Sequence, residues 1–175
     1  MAKGFLFGIL VSVLTIFIGG YLFITKGWMP ANADAPPPAL EKWMAHSSLR
    51  ATLQREAPGT PNPKAFNDEN LIAGVKLYAV NCLICHGAAD GKASNIAKGL
   101  YQHAPQFAQD GVTDDPEGKI YWFVKHGVRL TGMPSYNGSL TEDQIWQVVL
   151  FLKHMDGLTP KAEKAWKALP GSASL

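Results

Sequence analysis

The sequence has 175 residues, enough for one domain with length to spare, and sets 16 Lys and Arg against 14 Asp and Glu. Lys3 and Lys26 flank an N-terminal apolar run; without them both counts are 14, a balance that leaves nucleic acid no electrostatic footprint to bind. The two cysteines are the only ones and lie three positions apart, which excludes a disulfide scaffold and leaves helix packing to build the core.

Residues 4–25 carry no charge and are rich in Phe, Leu, Ile and Val. As a helix they extend about 33 Å, enough for a bilayer core of about 30 Å, and no polar face marks them as a core helix. The run exceeds the apolar region of a secretory leader, about 7–15 residues, which favours a retained anchor over residues 1–26. Ala31-Asn32-Ala33 resembles a cleavage site and keeps removal open as the alternative. Lys3 and Lys26 sit on opposite flanks and hardly orient the helix.

Residues 27–66 read as a spacer. Pro36-Pro37-Pro38 is stiff and extended, and Pro58, Pro61 and Pro63 mark a second irregular stretch. Between them residues 38–56 show roughly helical spacing of Leu40, Trp43, Met44 and Leu53, predicting a short helix that packs on the domain, lies near headgroups or docks a neighbouring subunit. Asn67 or Asp68 then caps a helix with Glu69 in its first turn. It continues through Leu71, Ile72, Val75, Leu77 and Tyr78. Gly74 within it costs about 1 kcal/mol of helix propensity relative to Ala, a cost that close approach of another helix would explain.

That helix leads into Cys82-Leu83-Ile84-Cys85-His86. A C-x-x-C-H reads as covalent haem attachment, with two thiols on one helical turn able to form thioethers and the following imidazole facing the iron. A structural zinc needs two further ligands at finger-like spacing, and a thioredoxin-like pair needs a βαβ setting; neither is present in the pattern. Gly87 and Asp90-Gly91 begin a turn-rich stretch that reaches His103-Ala104-Pro105-Gln106-Phe107. Asp115 and Pro116 suit the N-cap and first position of a helix through Ile120, Tyr121, Trp122 and Val124, which Gly127 ends. After the loop at residues 129–135, Thr141 with Gln144 forms a capping box. The helix it opens carries Ile145, Trp146, Val148, Val149, Phe151 and Leu152, and Gly157 stops it. Thr159 and Pro160 start a short tail helix whose Trp166 and Leu169 can pack back. Its Lys161, Lys164 and Lys167 read as a solvated stripe, with docking of an acidic partner as the alternative. No strand is needed anywhere: the expected fold is all-α.

Three helices, the C-x-x-C-H at the end of the first and Gly132-Met133-Pro134 before the last resemble the class I cytochromes c. The resemblance is nearest to the haem domains of membrane-attached subunits or donors of bacterial terminal oxidases. It covers residues 67–157, leaving the spacer and a tail at residues 158–175 outside it. It implies a small three-helix fold around one haem c, with Cys82 and Cys85 as thioether sites, His86 as proximal ligand and Met133 as distal ligand. It also implies that the Pro105 carbonyl holds the His86 N–H, that Gly74 and Tyr78 cross Val148 and Phe151, and that Tyr121, Trp122 and Trp146 wall the haem crevice. Bacterial haem attachment takes place outside the cytoplasmic membrane, so a single-pass protein of this kind has its N-terminus inside and its haem domain on the periplasmic side.

Met133 is also favoured on chemical grounds: a thioether suits haem iron and raises its potential relative to two imidazoles, and its Gly and Pro neighbours make a loop that can reach the metal. His126 is the chief rival. His103 lies beside Pro105, Met155 and His154 end a helix expected to point them away, and Met29, Met44 and His46 belong to the spacer. With both axial positions filled, the expected function is one-electron transfer between a quinol-oxidising complex or dehydrogenase and a terminal oxidase or reductase, as a shuttle or a fixed subunit, without catalysis of its own. A haem sensor or peroxidase-like protein with a labile sixth ligand is the alternative.

Overall fold

The computed structural model describes residues 2–171, apart from the side chain of Ala2; residues 172–175 of the tail lie outside the described residues. Helix α1, Ala2–Thr25, is long and apolar enough from Lys3 to Thr25 to cross a membrane. The hydroxyls of Ser12, Thr15 and Thr25 donate to the carbonyls of Gly8, Val11 and Tyr21 one turn back, so these three hydroxyls are satisfied within the helix. The compact unit containing α1 ends at Ala35, and a second begins at Pro36.

The second unit contains α2 (Ala39–Glu56), α3 (Asp68–Asn81), α4 (Leu83–His86), α5 (Asn95–Lys98), α6 (Phe107–Asp110), α7 (Glu117–His126), α8 (Glu142–Lys153), a 3₁₀ turn at Met155–Gly157, and α9 (Pro160–Lys167). Among the described residues there is no strand, and the chain is all-α. Asn67 caps α3 by accepting from Asn70 N–H. At α8 Thr141 and Gln144 form the reciprocal capping box, and Thr159 accepts from Ala162 N–H with Pro160 at the start of α9. Helix α7 begins later than its sequence signals indicate: Pro116 takes the cap position without a side-chain bond. The Asp115 carboxylate is engaged with Lys119 Nζ one turn along, at 2.5 Å, and so does not cap the helix.

The core is the crossing of α3 and α8. A Cβ at Gly74 would fall 2.2 Å from the Gln147 carbonyl oxygen and 2.8 Å from Phe151 Cβ, so the missing side chain is what lets the two backbones meet. Tyr78, Phe151 and Trp166 then stack edge to face, with centroids 5.3–5.4 Å apart. Tyr78 and Phe151 are fully buried, and such aromatic pairs contribute about 0.5–1.5 kcal/mol each beyond area burial. Trp166 brings α9 into the core. The Thr159 hydroxyl donates to Asp68 at 2.5 Å and Lys161 lies 3.2 Å from the same carboxylate, fastening the tail to the start of α3.

The segment between α2 and α3 is held against the helices it precedes. Asn62 N–H donates to Glu117 and Asn62 Nδ2 to the Trp146 carbonyl, while the Pro58 carbonyl lies over Gly118 where a Cβ would clash. Helix α2 is tied near both ends, by the Tyr101 hydroxyl donating to Glu41 at 2.6 Å and by Trp122 Nε1 donating to Glu56 at 3.3 Å.

Two outcomes follow. Gly74→Ala gains about 1 kcal/mol of helix propensity but meets backbone, so a net loss of about 1–3 kcal/mol is expected from overpacking, measured by chemical denaturation of the detergent-solubilised protein. Asp68 is held below the usual carboxylate range, first by the Thr159 hydroxyl and then by Lys161. A carboxyl depressed in the folded state stabilises above its unfolded value and loses that contribution as pH falls through the folded value. Asp68→Asn should therefore lower the melting temperature at pH 7, and the difference from the parent should vanish in acid below the depressed Asp68 value.

Candidate haem site

The C-x-x-C-H closes the end of α3. Cys82 is the C-cap, and its carbonyl accepts from both Cys85 N–H at 3.1 Å and His86 N–H at 2.9 Å, so the two sulfurs flank one tight turn. Both thiols are free. Burial first, and then the neighbouring Cys85, push the Cys82 thiol up to about 12; burial also raises Cys85. The turn is fixed from below by the buried Tyr78 hydroxyl donating to the Gly87 carbonyl at 2.6 Å, and from the side by Ser94 donating to the Ile84 carbonyl.

His86 Nδ1 lies 2.9 Å from the Pro105 carbonyl oxygen. A carbonyl can only accept, so Nδ1 carries the proton and Nε2 keeps its lone pair. Burial lowers the His86 pKa, partly opposed by the Pro105 bond, a shift that favours the neutral imidazole. The Phe107 ring stacks on the imidazole, 4.3 Å away and 4° from parallel. The Pro105 loop is held by Gln106, which is buried. Its Nε2 donates to the Cys85 and Ala104 carbonyls, both at 2.9 Å, and its backbone N–H donates to the Asp110 carboxylate at 2.6 Å.

On the other side, Met133 is presented by a loop tied to the end of α7. Gly127 ends the helix at φ +65, and a Cβ there would lie 2.5 Å from the Pro134 carbonyl carbon, so this residue must be glycine twice over. Val128 N–H donates to the Met133 carbonyl. Thr131 Oγ1 donates to the Val128 carbonyl and accepts from Met133 N–H. Cys82, Cys85, His86, Pro105 and Met133 all line one cavity of about 210 Å³, together with the apolar side chains of Leu100, Val124 and Val128 and the ring of Tyr136. Two thiols, a neutral imidazole with its outer nitrogen occupied, a thioether and an apolar lining form a donor set that fits a haem.

Tyr121, Trp122 and Trp146 do not line this cavity. Tyr121 and Trp146 stack on each other in the α7–α8 core at 4.2 Å, with the Tyr121 hydroxyl donating to Glu142 and accepting from Lys125. Trp122 faces a neighbouring groove. The α7 residue that reaches the cavity is Val124. His103 is at the rim on the Pro105 side, 3.5 Å from Asp110. His154 packs on Phe66 with Nδ1 bonded to the Leu150 carbonyl, and His126 packs beside Trp122. Among the described residues no three His, Cys, Asp or Glu side chains gather as a metal site. Asp110, Ser94 and Tyr136 carry no sequence signal for their roles; Gln106 and Phe107, following Pro105, stand in a stretch the sequence singles out.

The family described as cytochrome C oxidase, cbb3-type, subunit III has a sequence model that matches residues 69–152. Cytochrome c6 of Leptolyngbya boryana is 32% identical over 95 residues, covering 54% of this chain and 95% of that protein. The chain belongs to the cytochrome c family. The cytochrome carries covalently bound haem c, and electron transfer through that haem is the activity its family membership indicates. The residues matched by the family model begin in α3 and end in α8, so α1, α2 and α9 lie outside that match.

Gln106→Leu removes the donor from the buried bond to the Ala104 carbonyl and from the part-buried bond to the Cys85 carbonyl. Unpaired buried acceptors cost about 1–3 kcal/mol, so the variant should unfold at lower denaturant by that amount, measured on the haem-loaded protein.

Proposed function

We propose that this cytochrome carries single electrons through a haem held by thioethers to Cys82 and Cys85 and ligated by His86 and Met133. The observation that carries this reading is that His86, with Nδ1 committed to Pro105, and Met133, on a loop bonded to α7, line the same small apolar cavity. When bound, the haem supplies the one-electron chemistry. The protein's part is to hold the imidazole's orientation through Pro105, to keep Met133 in place through Thr131 and Val128, and to exclude water with Leu100, Val124 and Val128. Neither axial position is then open to a substrate, which favours outer-sphere transfer over catalysis.

We further propose that α1 is retained as a single-pass anchor in a bacterial cytoplasmic membrane, with residues 67–157 as the periplasmic haem domain. Its length and uncharged composition support this, and tethering raises the effective concentration near other membrane proteins. The similarity to the oxidase subunit family supports a terminal oxidase or reductase as acceptor, and the donor is a quinol-oxidising complex or dehydrogenase. The test is Met133→Ala. The parent should show a Met–iron charge-transfer band when oxidised and should resist CO when reduced. The variant should lose the band, bind CO and fall in midpoint potential. A parent that binds CO readily would instead move the reading to a haem sensor or peroxidase-like protein.

A further inference from the structure

The cavity beside the C-x-x-C-H is too small to be the whole haem pocket. Its volume of about 210 Å³ lies under the roughly 300 Å³ at which pockets for small organic ligands begin, and a haem is larger than most of those. Next to it is a groove of about 610 Å³, and the two spaces share Gln102, Val128 and Thr131 as lining. One wall of the groove is the underside of α2, through Ala45, Leu49 and Thr52; the other is formed by Trp122, His126 and Arg129.

We propose that α2 is the outer wall of the haem pocket, and that the propionate edge of the haem lies in this groove facing Arg129. Three observations carry it. Helix α2 is fixed near both ends by side-chain bonds, Glu41 with Tyr101 and Glu56 with Trp122, yet its middle spans empty space. A concave space of this size under a fastened helix has the dimensions of a ligand site. The space adjoins the cavity that holds the attachment cysteines, sharing Gln102, Val128 and Thr131 with it. Its charge also suits a carboxylate: Arg129 has no ion-pair partner among the described residues, and Glu41, the carboxylate lining the groove, is occupied by the Tyr101 hydroxyl. A guanidinium is the side chain best shaped to take a carboxylate through paired hydrogen bonds. Helix α2 precedes the residues that the family model matches. The inference rests on the covalent haem and does not depend on Met133 as ligand.

The test uses the full-length haem-loaded protein in detergent. In the reduced protein the methyl resonances of Ala45 and Leu49, assigned through their loss in Ala45→Ser and Leu49→Gln, should be displaced from the ordinary methyl range by the adjacent haem. Arg129→Gln should keep the axial-ligand spectrum of the parent and disfavour reduction, because removing a nearby positive charge stabilises the more positive ferric state. The expected size is roughly threefold to tenfold in the reduction equilibrium constant. Lys164→Gln, on a helix that does not line the groove, should shift it less. Covalent haem with an unaltered Met–iron band but ordinary Ala45 and Leu49 shifts, or equal effects of the two charge removals, would overturn the α2 wall while leaving the ligation reading intact. A Met–iron band missing from the parent, with displaced methyls, would do the reverse.

Discussion

Two backbones meet at Gly74, and the haem site depends on that approach. Because α8 lies directly on the Cα of this glycine, α3 is locked in position over its whole length and the Cys82–His86 turn at its end has a fixed place. Helix α7 packs on the other side of α8 through Tyr121 and Trp146, and the end of α7 sets the loop that presents Met133. The two sides are also joined directly, by the Tyr136 hydroxyl beyond the Met133 loop donating to the Asn81 carbonyl at 2.6 Å. Helix packing and this bond together set the separation between His86 and Met133.

Within that frame, hydrogen bonds settle orientation. The Pro105 carbonyl selects one nitrogen of His86, and ring stacking by Phe107 restricts the plane of the imidazole. Pro105 in turn is held by Gln106 and Asp110, which bind the loop to the Cys85 carbonyl and to itself. This is a chain of supports in which groups that never reach the cofactor decide the geometry of the group that does. One of those supports is the carboxylate of Asp110, which accepts from the Gln106 N–H.

What could be read in the sequence was local. Asn67, the Thr141–Gln144 box, Thr159-Pro160 and Gly127 act within a turn of themselves, and the structure has each in the position its chemistry indicates. The attachment motif is five consecutive residues and needs no tertiary knowledge. The choice between Asp115 as a cap and as a partner for Lys119 was already less legible, since one side chain had two local uses. Facing was illegible where three helices compete: Tyr121 and Trp146 are large and aromatic, which suits a haem wall, but the packing of α7 on α8 turns them toward each other and gives the cavity Val124. The roles of Gln106 and Ser94 rest on carbonyls up to 21 residues away, for which no periodicity exists.

The burial of Trp166 against Tyr78 and Phe151 has a consequence for where this domain can be cut. The family model's match ends inside α8, whereas the aromatic core extends to α9 and includes a buried tryptophan supplied by the tail. The matched segment and the packed core of this chain therefore have different edges. Cut back to residues 69–152, the chain would present to water the faces of Tyr78 and Phe151 that Trp166 covers.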